Sequence, residues 1–228
     1  MSVLEWIVYL FDLLPIVVFL FLLALNKRIA KQLWVILFFN ICSLLNNTIV
    51  IYYGNHNLDY SLFLHIFTIV EYSCFAVFIY NVIQNRFAKK FLLVCSSLFI
   101  CFCLFIIIFK PTYSFDSLQT SFEVLILLAF SILFLFEQVN KPQEHFIYSS
   151  YKFWVVTGIL IYLASTFFLF VFAASLPKKQ ADQWWIINNF SNILRNIFFS
   201  IAILIQAQSS KTPPNPKSME PDYQPFLN

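Results

Sequence analysis

The chain is 228 residues long, 61% hydrophobic and 20% aromatic, with only 11% charged residues and a formal net charge of +3. An ordinary soluble domain carries about 25% charged residues, and a chain this short cannot hide so much apolar surface from water, whereas lipid accepts it. The sequence has two glycines, no phosphate-cradling glycine loop, no zinc-ligand spacing and no nucleophile elbow, which excludes most soluble enzyme classes; neither a cofactor nor a nucleic-acid partner is expected.

Crossing about 30 Å of hydrocarbon takes about 20 helical residues, and seven runs are predicted to do so. The first, Val3 to Leu25, carries Asp12 one turn before Pro15, whose missing amide frees a backbone carbonyl and bends the helix. Its positive charges, Lys27 and Arg28, follow it, unlike those of a signal peptide, so it is expected to stay in the membrane. The second, Gln32 to Tyr53, has a polar stripe of Asn40, Ser43 and Asn47 with Asn46 beside it. The third, Tyr60 to Gln84, places His65, Thr68 and Tyr72 on one face and Glu71 at its edge. The fourth, Phe91 to Phe109, contains Cys95, Cys101 and Cys103; the last two project about 200° apart and cannot share a metal. Together with Cys42 and Cys74 they lie inside spans and read as small apolar fillers.

The fifth run, Thr120 to Glu137, is the shortest, and Glu123 and Glu137 near its ends are expected to reach water. The sixth is Phe153 to Ala174. The seventh, Trp184 to Ala207, is the most polar: Asn188, Asn192 and Arg195 fall within about 60° of one another, and Asn189 and Asn196 widen the arc to about 120°. Trp6, Trp34, Trp154, Trp184 and Trp185 sit near span ends, as interfacial anchors do. Residues 208–228 contain five prolines and few apolar side chains, and a disordered tail is expected there.

The predicted fold is therefore an all-α polytopic bundle of seven transmembrane helices over residues 1–207. Ten Lys and Arg residues flank one side (Lys27, Arg28, Lys31, Arg86, Lys89, Lys90, Lys141, Lys152, Lys211, Lys217) and three the other (Lys110, Lys178, Lys179), which predicts an outside amino terminus and a cytoplasmic carboxyl terminus. The connections are too short to hold a soluble domain, so any chemistry belongs inside the bundle or at its mouths.

Charge at mid-membrane is costly, by about 2.5 to 3.5 kcal/mol on insertion scales, so depth singles out candidates. Glu71 and Arg195 each lie eleven residues into a span that begins outside, and a buried ion pair between the third and seventh helices is predicted. Asp12, Asn47, His65, Asn188 and Asn192 are expected to line a polar pocket with that pair, a ligand or proton site in the outer half. The competing structural reading is that the same groups only hydrogen-bond helix to helix, and that His65 is an interior histidine satisfied by a neighbour. The His65 ring and Glu71 carboxyl project about 120° apart, which argues against a direct acid–base dyad.

The stretch Phe67-Thr-Ile-Val-Glu-Tyr on the third helix, Lys152-Phe-Trp-Val-Val-Thr-Gly-Ile-Leu-Ile-Tyr-Leu-Ala-Ser-Thr-Phe-Phe-Leu-Phe at the sixth and Trp185-Ile-Ile-Asn-Asn-Phe-Ser-Asn-Ile-Leu-Arg-Asn on the seventh resembles an uncharacterised multi-pass membrane family common in Bacteroidota. The resemblance implies the same topology and a bacterial cytoplasmic (inner) membrane. Members typically read Ile-His-Asn where this chain has Ile187-Asn188-Asn189, so no histidine role is carried over to that position. Arg195 standing where a Schiff-base lysine is needed argues against a retinal pigment. The function expected is a receptor-like or sensory protein that binds a small polar or amphipathic ligand in the membrane and signals to a separate cytoplasmic partner. The alternatives are a proton- or anion-coupled transporter using Asp12, Glu71 and Arg195, and a lipid-modifying membrane enzyme.

Overall fold

A computed structural model describes the backbone of residues 3–109, 117–140, 147–172 and 178–209, and side chains within 6–109, 118–140, 147–167 and 186–208. Each apolar run folds as a helix, and the polar residues between runs fix where it stops. Helices α1 (Val3–Ala24) and α2 (Lys31–Asn55) close in the same way. Asn26 and Asn57 take left-handed φ values of 53° and 54°. The amides that follow, of Lys27 and Leu58, reach back to the carbonyls of Leu22 and Tyr53 at 3.1 and 2.9 Å, while those of Asn26 and Asn57 reach Leu23 and Gly54. This is a Schellman closure with asparagine where glycine is usual, because its short polar side chain tolerates the left-handed region.

Helix α3 (Ser61–Val82) is preceded by Asp59, whose carboxylate accepts from the Ser61 amide at 2.9 Å and its hydroxyl at 2.7 Å. Those donors, the backbone amide foremost, hold the exposed Asp59 carboxyl below the usual carboxylate range. Helix α4 (Arg86–Phe109) begins five residues before the predicted Phe91 because the Asn85 side chain caps it, accepting the amides of Phe87 and Ala88 at 2.8 and 3.3 Å. Helix α5 (Ser117–Val139) is a full 23 residues rather than a short span, and its Glu137 accepts the Gln84 and Asn85 amides at 2.9 and 3.1 Å. A 3-10 turn, Ile147–Ser149, leads into α6 (Tyr151–Phe172), and α7 (Lys178–Ser209) is the longest helix at 32 residues. Helix α1 continues through Pro15. Most of the proposed tail, residues 210–228, and the side chains of Trp184 and Trp185 lie outside the described residues.

The packing follows chain order around a ring: α1 lies between α2 and α7, α7 packs on α6, α6 on α5, α5 on α3 and α3 on α2, while α4 sits outside against α3 and α5. Half of the most apolar window of α3 is buried inside the protein, against 22% for α4, so α3 is an interior helix and α4 a peripheral one. The core is aromatic. Phe39, Phe75 and Phe199, all fully buried, bring α2, α3 and α7 together with ring centroids 4.5 to 6.3 Å apart.

The outer surface is apolar as well: Leu98, Ile108 and Phe136 are each about two-thirds exposed, while Asp12, Glu71, Glu123 and Arg195 are buried. Water penalises that arrangement and lipid favours it. All described elements are helical, and six of them, α1 to α5 and α7, are long and apolar enough to cross a membrane, the architecture of an integral membrane protein. The described apolar part of α6, Tyr151–Phe167, is shorter.

Candidate functional site

The deepest polar residues converge where the ring of helices faces inward. Arg195 of α7 is 1% exposed, the largest fully buried side chain among the described residues. Its guanidinium carbon lies 4.7 Å from the Phe39 ring centre and 4.5 Å from that of Tyr162, so α2 and α6 hold the cation between two aromatic rings. Such contacts are worth about 2 kcal/mol when desolvated and compensate part of the charge's lost hydration. Nη1 stands 3.5 Å from Glu71 Oε1, the predicted pair between α3 and α7.

That contact is an ion pair and not a hydrogen bond: Glu71 Oε1 has no hydrogen-bond partner among the described residues, and neither has Arg195 Nε or Nη2. The Glu71 carboxyl lies within hydrogen-bonding reach of the Tyr162 hydroxyl. Nε and Nη2 form one edge of the guanidinium, the side-on fork that receives two oxygens at once, and both are buried with no acceptor among the described residues.

Asp12 of α1 completes the centre. Asn47 of α2 donates to one carboxylate oxygen and Asn196 of α7 to the other, each through Nδ2 at 2.6 Å, and Arg195 is close enough to act on the same carboxylate. An acceptor-only group thus meets two donors in the interior, the arrangement a buried carboxylate needs. Of the predicted residues, Asp12, Asn47, Glu71 and Arg195 are brought together. Asn192 instead donates to the Asn188 carbonyl of its own helix at 3.1 Å, and Asn188 keeps a buried Oδ1 with no partner among the described residues, so Asp12 is met by Asn196 rather than by either.

His65 is turned away from this centre. Its Nδ1 lies 2.7 Å from Gln119 Oε1 on α5, and Gln119 Nε2 donates back to the His65 carbonyl at 3.4 Å, a reciprocal lock between α3 and α5. One turn further along α5, Glu123 corrects the expectation of a solvated carboxyl: it is 2% exposed and its Oε1 has no partner among the described residues. The position three residues inside the predicted span is covered because α3 and α4 both pack on that part of α5, through His65 on Gln119 and Phe102 on Phe122. Glu137 is half-buried and serves the α3–α4 turn.

Tyr162, Phe39 and Gln119 join these groups without a mark in the sequence pattern, apart from one hint at Tyr162. That residue follows Gly158 by one turn, and Gly158 is where α6 touches α7. A Cβ at that glycine would lie 2.9 Å from Phe198 Cβ and 3.5 Å from the Arg195 carbonyl oxygen. The missing side chain is what lets the Tyr162 ring, on the same helix face, reach the guanidinium.

Comparison with protein families, with curated proteins and with solved structures gives no match. The chemistry available is thus that of the residues themselves: a caged cation with one donor edge left without an acceptor among the described residues, a carboxylate pinned by two amides, and two further buried carboxyls.

Proposed function

We propose that the protein is a receptor-like or sensory membrane protein whose Arg195-centred cluster recognises a small polar or amphipathic molecule bearing a carbonyl or carboxyl group. The observation that carries this reading is the Nε/Nη2 edge of a fully buried guanidinium held between two rings, an edge with no hydrogen-bond partner among the described residues. A buried donor without an acceptor is costly, by about 1 to 3 kcal/mol and more for a charged group, and a ligand's two oxygens would remove that cost. Asp12, Asn47, Glu71 and Asn196 would set the ligand's orientation, and α1, α2, α3, α6 and α7, which supply the cluster, would feel its arrival. In this reading the chain crosses a bacterial cytoplasmic membrane seven times with its amino terminus outside, belongs to the Bacteroidota group that its sequence resembles, and passes its response to a cytoplasmic partner.

A second reading, a proton-coupled transporter, is favoured by the surplus of buried carboxyls over buried cations in the described interior. Thermal melts of the full-length protein in detergent, run against a panel of small carboxylates and amphipathic carbonyl compounds, separate the two when paired with flux measurements in liposomes. A compound at 100 times its dissociation constant stabilises by about 2.7 kcal/mol. Stabilisation lost in Arg195→Lys, which keeps the charge and removes the side-on edge, is expected without flux. Gradient-driven uptake lost in Glu71→Gln would replace the receptor reading with the transporter.

A further inference from the structure

The seam between α3 and α5 carries a second ionisable site that the Arg195 cluster does not use. Glu123 is buried, and its Oε1 and the hydroxyl of Thr120, one turn away on α5, are both buried with no partner among the described residues. The charged and titratable groups facing Glu123 are known from each packed helix. α3 presents Glu71, which repels it, and Tyr72; α4 presents Cys103; α6 presents Tyr162. From α7 the cation Arg195 is engaged by Glu71 and Asp12. Of the three buried carboxyls, Arg195 engages Glu71 and Asp12, and Glu123 is the one with neither a cation nor, among the described residues, a donor on its Oε1.

An interior carboxyl in that position is tolerable only with a positive partner of its own. His65 and Gln119 run from the same seam toward the α2–α3 turn that carries Asp59.

We propose that Glu123 is a proton-binding site in the α3–α5 seam, reached from the α2–α3 end of the bundle past His65 and Gln119. The bound ligand is the proton itself, attached to Oε1, and its loss puts a second negative charge opposite Glu71. The site links pH on one side of the bundle to the packing of α3 against α5. It stands on residues outside the Arg195 edge, so it holds whether or not a small molecule binds there.

The test is the melting temperature of the full-length protein in detergent as pH rises from about 5 to about 9, in sodium-free and in sodium buffers. A proton bound by the folded state and released on the way to the unfolded one gives stability that is present at low pH and lost as pH rises. The wild type is expected to follow that course. Glu123→Gln, which keeps shape and neutrality, is expected to melt at the wild-type temperature at the acid end and to lose the fall. Persistence of the wild-type profile in Glu123→Gln overturns the proposal, as does stabilisation by sodium that disappears in Glu123→Gln, which would make the ligand a metal cation. Should Glu123→Gln fail to fold, infrared spectra of the wild type decide. A neutral carboxylic acid C=O band at pH 7 that shifts in Glu71→Gln supports the site, and its absence overturns it.

Discussion

At the scale of single residues, Glu71 and Arg195 are joined by distance and by exclusion of water, since both are buried at a contact of 3.5 Å. Removing one partner strands the other charge. Arg195→Gln is expected to destabilise the protein by about 3 to 5 kcal/mol. The double variant with Glu71→Gln should fall short of the sum of the single effects by about 0.5 to 3 kcal/mol. Denaturation of the four proteins in detergent measures the coupling, and simple additivity would show that the two groups do not act on each other. The pair was legible in the sequence because a straight helix converts residue number into depth, and matched depths leave few candidates. Phe39 and Tyr162 were not legible: in a chain with 30 phenylalanines and 11 tyrosines, no spacing marks the two rings that embrace a cation. The burial of Glu123 is not legible in the sequence, because distance from a span's end measures exposure only where neighbouring helices leave that end open.

At the scale of helices, small local devices decide how elements meet. Asn85 and Glu137 between them satisfy four backbone amides at the α3–α4 turn, which fixes the start of α4 and ties it to the end of α5. Hydrophobicity places α4's apolar stretch but is blind to this cap, so the predicted start fell five residues late. Gly158 sets the separation of α6 and α7. Gly158→Ala would press a methyl group to 2.9 Å from Phe198 Cβ, an atom anchored to the backbone and unable to swing aside. A loss of about 1 to 3 kcal/mol is expected from the strain. Because Tyr162 rides on the same face, the variant should also weaken any ligand-dependent stabilisation that needs Arg195, whereas Gly54→Ala, which meets nothing within 4 Å, should leave it intact. Equal effects from both alanines would detach Gly158 from the polar centre.

At the scale of the whole molecule, helical architecture and most span positions followed from composition and run length, since lipid leaves few options for a backbone that must satisfy itself. The α1–α2 turn, the α3–α4 turn and the start of α6 share one end of the bundle, tied by Tyr151 to Gln32 at 3.2 Å and by Gln206 to the Arg28 carbonyl at 3.1 Å. Lys27, Arg28, Lys31, Arg86, Lys89, Lys90 and Lys152 gather there. The positive-inside rule then predicts that a reporter fused after residue 228 is active only if it folds in the cytoplasm, and that one fused before residue 1 is active only outside. The reverse pattern would invert the assignment.

Arg195 follows Glu71 by 124 residues along the chain. At about 5 to 20 residues per second, the ribosome delivers the guanidinium roughly 6 to 25 s after the carboxyl. For that interval the nascent third helix has an acid and lacks the guanidinium that meets it, so its settlement in the bilayer waits on α7. Chains cut short before α7 should therefore be recognised by quality-control proteases as unfinished, however oily they are.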